Sequence, residues 1–167
     1  MSRIVIAAMA MLVSLGAAHG DDGCNKFAWP LAKERAAFAA TDKPTVKAGD
    51  ALTTLPATAF VVALQPGGQA AFTLPPERKP KTPTWYGGSV SLPAPGKAGL
   101  YQVTLSDEAW VDVVQEGRYA RSVGHSGRGD CPGLRKTVRF ELTTAPFVVQ
   151  ISGAEVDRIA VVAGKVE

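Results

Sequence analysis

From residue 44 onward the chain alternates apolar and polar side chains, and turn-forming residues interrupt the alternation at short intervals. A period of two is that of a pleated strand with one face buried. It predicts strands at 57–65, 70–74, 88–92, 100–105, 109–115, 118–123, 134–142, 147–152 and 156–163. The clearest is 134–142, where Leu134, Val138, Phe140 and Leu142 point one way and Arg135, Thr137, Arg139 and Glu141 the other. Lys136 falls on the apolar side, which predicts that this end frays toward the preceding loop. Ala109, Val111 and Val113 share a face, leaving Trp110 on the opposite one. Gln115-Glu116-Gly117-Arg118 reads as a tight hairpin, with Gly117 free to take positive φ.

Before this region the period changes. Pro30 suits a first helical turn, and 31–40 is rich in helix formers. Leu31 and Phe38 share one helical face, with Glu34 and Arg35 turned outward, and the residue before Pro44 cannot continue the helix. Seven prolines at 66, 75, 76, 80, 83, 93 and 95 assign that stretch to loops or edges. The fold class that follows is mainly β: an antiparallel β-sandwich or jelly roll of about eight or nine strands with one short N-terminal helix.

The first residues change the setting of this domain. Arg3 precedes an unbroken apolar and small-residue run over 4–18, which at about 1.5 Å per residue falls short of a bilayer core about 30 Å thick. Small residues at Ala18 and Gly20 complete a secretory signal peptide over 1–20, cleaved before Asp21 or after Ala18. The domain division is therefore signal peptide 1–20, helical segment 21–44 and sandwich 45–167, with no membrane span after cleavage and a periplasmic or secreted destination. In an oxidising compartment an even cysteine count predicts a disulfide, so Cys24 and Cys131 are paired and the helical segment is stapled to the sandwich. The chain has 167 residues, is 46% hydrophobic, and sets 18 Lys/Arg against 15 Asp/Glu. That balance excludes a disordered chain and the basic excess of a nucleic-acid binder.

Candidate chemistry is sparse. His125, Ser126 and Asp130 lie close in sequence, but Gly124-His125-Ser126-Gly127-Arg128 departs from the nucleophile elbow at its last position. Adjacent His and Ser side chains also diverge, and the bland reading is a flexible glycine-rich loop tied down by Cys131. His125 is the one histidine clear of the signal region, and Asp107-Glu108 lacks the spacing of a calcium loop. No catalytic residue, metal ligand or cofactor is therefore predicted. Arg128-Gly129-Asp130 spells an adhesion tripeptide and reads as a tight turn.

Two features suit binding. Residues 118–140 carry six basic side chains and one acid, so Arg121 beside Arg135 or Arg139 would make a patch for carboxylates or phosphates, or simply a solubilising face. Trp85 and Tyr86, beside Gly87 and Gly88, would stack on a sugar ring or else fold over the mouth of the core. Trp29 packs the helix entry.

The stretch 98–105, Ala-Gly-Leu-Tyr-Gln-Val-Thr-Leu, resembles the G-x-Y-x-V strand of pre-peptidase C-terminal jelly-roll modules. More broadly, Cys24-Asn-Lys-Phe-Ala-Trp-Pro-Leu31, Trp110-Val-Asp-Val-Val-Gln-Glu-Gly117, Asp130-Cys-Pro-Gly-Leu-Arg-Lys136 and Val149-Gln-Ile-Ser-Gly153 resemble a family of small secreted bacterial proteins. Members of that family sometimes carry the name homogentisate 1,2-dioxygenase. The resemblance implies export and the disulfide, but that activity needs two histidines and a carboxylate at an iron site. The expectation is a non-catalytic binding or accessory module of the envelope for a glycan or an anionic protein partner. Its ligand residues would be Trp85, Tyr86, Trp110, Arg121, Arg128 and Arg139. The alternatives are a structural envelope protein, which would self-associate, and a metal-dependent enzyme.

Overall fold

The computed structural model describes residues 23–166, so the signal sequence expected at 1–20 lies outside the described residues. A 3-10 turn at Gly23–Lys26 and helix α1 at Ala32–Ala39 precede eleven strands. These are β1 (Thr45–Lys47), β2 (Phe60–Ala63), β3 (Gln65–Pro66), β4 (Tyr86–Leu92), β5 (Gly99–Leu105), β6 (Trp110–Gln115), β7 (Arg118–Tyr119), β8 (Ser122–Gly127), β9 (Lys136–Leu142), β10 (Phe147–Ala154) and β11 (Arg158–Lys165). They form a sandwich of a six-stranded sheet, β1-β2-β11-β5-β9-β8, and a five-stranded sheet, β3-β4-β10-β6-β7. Pairing is antiparallel throughout both sheets except between β1 and β2.

The alternation read from the sequence sets the inner faces. Tyr101 and Val103 of β5 stand opposite Phe140 and Val138 of β9, while Val149 of β10 stands opposite Val90 and Val113. These residues, with Phe60, Leu92, Leu105, Ile151, Ile159 and Val161, make one buried core. Each such side chain contributes about 1.5–3 kcal/mol by leaving water. The hairpin at Gln115–Arg118 forms as its residues dictate, with Glu116 at φ 54° and Gly117 at φ 76°.

Both outer faces are covered as well. A second cluster of Cys24, Phe27, Leu31, Cys131 and Leu134, joined by Trp29 and Phe38, binds the N-terminal segment to the six-stranded sheet. The Cys24–Cys131 disulfide, spanning 107 positions, lies within it. Beneath the segment, outward-facing Gln102, Thr104 and Thr137 are buried, and the two threonine hydroxyls share a 3.0 Å hydrogen bond. On the other side the proline-rich segment 67–85 straps the five-stranded sheet. Its fastener is Gln150, whose Oε1 accepts from the backbone N–H of Thr73 (2.7 Å) and Leu74 (3.0 Å) while Nε2 donates to the Leu74 carbonyl (3.0 Å).

Several expectations are corrected. The strand expected at 57–65 breaks at Leu64, whose N–H donates to Asp157, and the chain passes from the six-stranded sheet into the five-stranded one. Residues 70–74 are not a strand, because their backbone is satisfied by the Gln150 and Ser89 side chains rather than by a neighbouring strand. The stretch 118–123 divides into β7 and the start of β8, which then runs through half of the expected glycine loop. Short β1 follows Pro44 and was not anticipated. Glu34 faces the sheet rather than solvent, accepting from Gln102 Nε2 at 2.7 Å. Leu134 lies outside β9 and packs with the disulfide cluster instead of the inter-sheet core.

A basic cleft around Trp110

β6 begins where the alternation turns Trp110 outward, so its indole lies on the outer face of the five-stranded sheet. The indole N–H donates to Asp112 Oδ1 at 2.6 Å, and Asp112 Oδ2 accepts the backbone N–H of Glu77 at 3.1 Å. One carboxylate therefore fixes both the ring and the strap that crosses it. The Tyr119 hydroxyl adds a second tie by donating to the Pro75 carbonyl.

The strap brings basic residues with it. Arg78 lies 5.4 Å from the Trp110 ring centroid. Lys136 Nζ lies 4.8 Å from the same centroid and donates to the Ala109 carbonyl at 2.8 Å. Lys136 is thus the ordered first residue of β9, not a frayed end: at the rim of the sandwich its apolar-side position lets the ammonium reach the other sheet. Arg135 pairs with Glu108 at 3.4 Å and donates to the Arg128 carbonyl at 3.3 Å. Gly153 takes φ 70° beside a register shift in β10, a backbone conformation that favours glycine, and Pro80 of the strap packs against it.

These groups enclose a cleft of about 220 Å³. Arg78, Lys79, Lys81, Arg135 and Lys136 line it against two acids, Glu108 and Glu155, with Trp110 in the wall. Burial pushes the Lys136 ammonium below its ordinary pKa, aided by the charges of Arg78 and Lys81 and opposed by Glu108 and Asp112. Burial pushes Asp112 above its ordinary range despite its hydrogen bonds. Glu77 rises too, through burial and then the neighbouring Asp112. The cleft holds cations that lack enough anions, and an anionic group entering it would relieve that imbalance.

The six ligand residues expected from the sequence do not gather on one surface. Trp110 alone of them lines the cleft. Trp85 stacks on Phe72 at 6.3 Å and closes over Gly67, where any side chain would strike the indole. Tyr86 opens β4, half-buried against the inter-sheet core. Arg139 lies on the opposite sheet, 4.0 Å from the Trp29 ring centroid, and donates to Gln102 Oε1 at 3.0 Å. It is the middle of a Glu34–Gln102–Arg139–Trp29 chain that fastens the N-terminal segment. Arg121 pairs with Glu141 at 3.4 Å rather than flanking Arg135 or Arg139. Arg128 grips Asp130 with two 3.1 Å hydrogen bonds, lowering the Asp130 pKa.

Arg78, Lys79, Lys81 and Lys136 were missed as site residues. The signal for Lys136 was present, since a lysine at a core-parity position needs a reason. The strap lysines carry no period that would place them. Among the described residues, no three His, Cys, Asp or Glu side chains converge as metal ligands would. No protein-family profile, curated protein or solved structure matches the chain.

Proposed function

We propose that this protein is an exported, non-catalytic binding module of the cell envelope, and that its ligand is an acidic glycan held in the Trp110 cleft. The observation that carries the reading is five basic side chains around one tryptophan with two acids among them. Two of those cations already lie over the Trp110 ring, so the indole serves to hold charge in place and the sugar is recognised through its carboxylates. The disulfide suits an oxidising compartment, and with the signal-like N-terminus it supports a periplasmic or secreted location.

The test is calorimetric titration with oligogalacturonate and, as a neutral control, the same oligosaccharide with its carboxylates reduced. Binding of the acidic form alone is expected, weakening as salt rises. Lys79 and Lys81 sit on the strap away from the core, so the double change Lys79→Ala, Lys81→Ala should leave the fold intact. It should weaken binding about tenfold, as expected for two screened charge contacts. Equal binding of both oligosaccharides, or no binding of either, would overturn the proposal.

A further inference from the structure

Sheet edges expose unpaired backbone groups, and natural proteins blunt them with short strands, proline or charge. Three of the four edges here follow that rule. β1 is three residues long, follows Pro44 and ends on Lys47. β3 is two residues ending on Pro66, and β7 is two residues beginning with Arg118.

The fourth edge does not. β8, Ser-Val-Gly-His-Ser-Gly, is six residues long and carries no proline, lysine, arginine or carboxylate. It pairs on one side with β9 and with no strand on the other among the described residues. Val123, at 43% exposure, is the one large hydrophobic residue left exposed among those described, and it lies on this strand. The strand is also held still. The Ser126 hydroxyl accepts the Ala28 N–H at 3.0 Å, and the Trp29 ring lies against Gly124. The N-terminal segment thus clamps the outer face of β8, and among the described residues no strand covers its edge.

We infer that β8 is a homodimerisation edge, pairing antiparallel with β8 of a second copy to join two six-stranded sheets across a two-fold axis. Self-complementarity selects a second copy as the partner. The uncharged middle of the strand meets itself, and antiparallel pairing sets the Arg121–Glu141 pair of one copy beside the Arg128–Asp130 pair of the other, so no unbalanced like charge is opposed at either end. The Arg121 side chain is 76% exposed and that of Asp130 51%, so both ion pairs lie at the surface where the two strand ends would meet. The bulge at Val123 falls at the Arg121 end of the strand and leaves Gly124–Gly127 in regular register for pairing.

The test is sedimentation velocity of the oxidised, processed protein over a concentration series, with hydrogen exchange on the same samples. The expected result is a monomer–dimer equilibrium in which the His125 and Gly127 amides gain protection as dimer forms. Val123→Lys and, separately, His125→Lys should each raise the dissociation constant about tenfold or more while circular dichroism and the disulfide stay unchanged. Both positions are exposed, so neither change strains the core. A protein that stays monomeric throughout, or a dimer indifferent to both lysines, would overturn the inference. Either result would leave the glycan proposal standing, because β8 lines no part of the Trp110 cleft.

Discussion

Replacing both cysteines, Cys24→Ser with Cys131→Ser, tests how the N-terminal segment is coupled to the sandwich. The bridge closes a loop spanning 107 positions. In the chain-entropy model such a loop restricts the unfolded chain by about 4.8 kcal/mol at 25 °C. The native state loses little packing by comparison, since Phe27, Leu31 and Leu134 still have each other to cover. If the segment unfolds together with the sandwich, nearly all of that stabilisation disappears. For a domain of this size each 1 kcal/mol moves the midpoint by about 2–4 °C, so Tm should fall by roughly 10–20 °C. Coupling is expected because the segment is also tied by the Glu34–Gln102–Arg139 chain and by Trp29 over Arg139. Calorimetry of the oxidised wild type and the double variant measures the difference. A fall of less than about 3 °C would contradict this coupling, for it would mean that the segment peels away alone and the cross-link restrains nothing else.

Two further predictions concern the strap. Gln150→Leu keeps the bulk of a side chain that is 1% exposed but leaves the Thr73 and Leu74 groups without their partner. Denaturant unfolding should show a loss of about 2–3 kcal/mol, and acidic-glycan affinity should fall because the strap carries Arg78, Lys79 and Lys81. The second concerns pH. Asp112 and Glu77 both titrate above their ordinary values, so the folded state binds more protons than the unfolded chain between the two sets of values. Their contribution to stability is therefore greatest at low pH and declines as pH rises from the ordinary carboxylate range through the folded values. Asp130, lowered by Arg128, contributes with the opposite sign at lower pH. Asp112→Asn should remove much of the decline while keeping an acceptor for the Trp110 indole, as pH-dependent urea midpoints would show.

Local rules reached the strands because alternation and turn chemistry are local. Val103 against Val138, and Gln115 to Arg118 around Gly117, follow from pattern alone. The disulfide was legible from cysteine count and setting, and the outward turn of Trp110 from parity. Residues 70–74 misled because their side chains alternate in exposure as a strand's do, yet their backbone partners are the side chains of Gln150 and Ser89 rather than a strand. The candidate site was largely hidden for a related reason. It joins a strap at 78–82, the entry to β6, the start of β9 and the bulge at Gly153, and only tertiary packing brings these together. Arg139 looked like part of a free basic patch because the stretch 118–140 says nothing of Trp29, more than a hundred positions earlier in the chain, covering it.

An acidic glycan held at Trp110 would be sensed by one tryptophan and not by the other two. The three tryptophans occupy three separate settings: Trp29 under the N-terminal cover, Trp85 stacked on Phe72, and Trp110 in the basic cleft. A proton–nitrogen NMR titration with oligogalacturonate therefore reads all three indole N–H signals at once. The expected result is a saturable shift of the Trp110 signal, which is hydrogen-bonded to Asp112, with Trp29 and Trp85 unmoved and no response to the carboxyl-reduced oligosaccharide. A shift at Trp85 with both oligosaccharides, or no shift at Trp110, would contradict it.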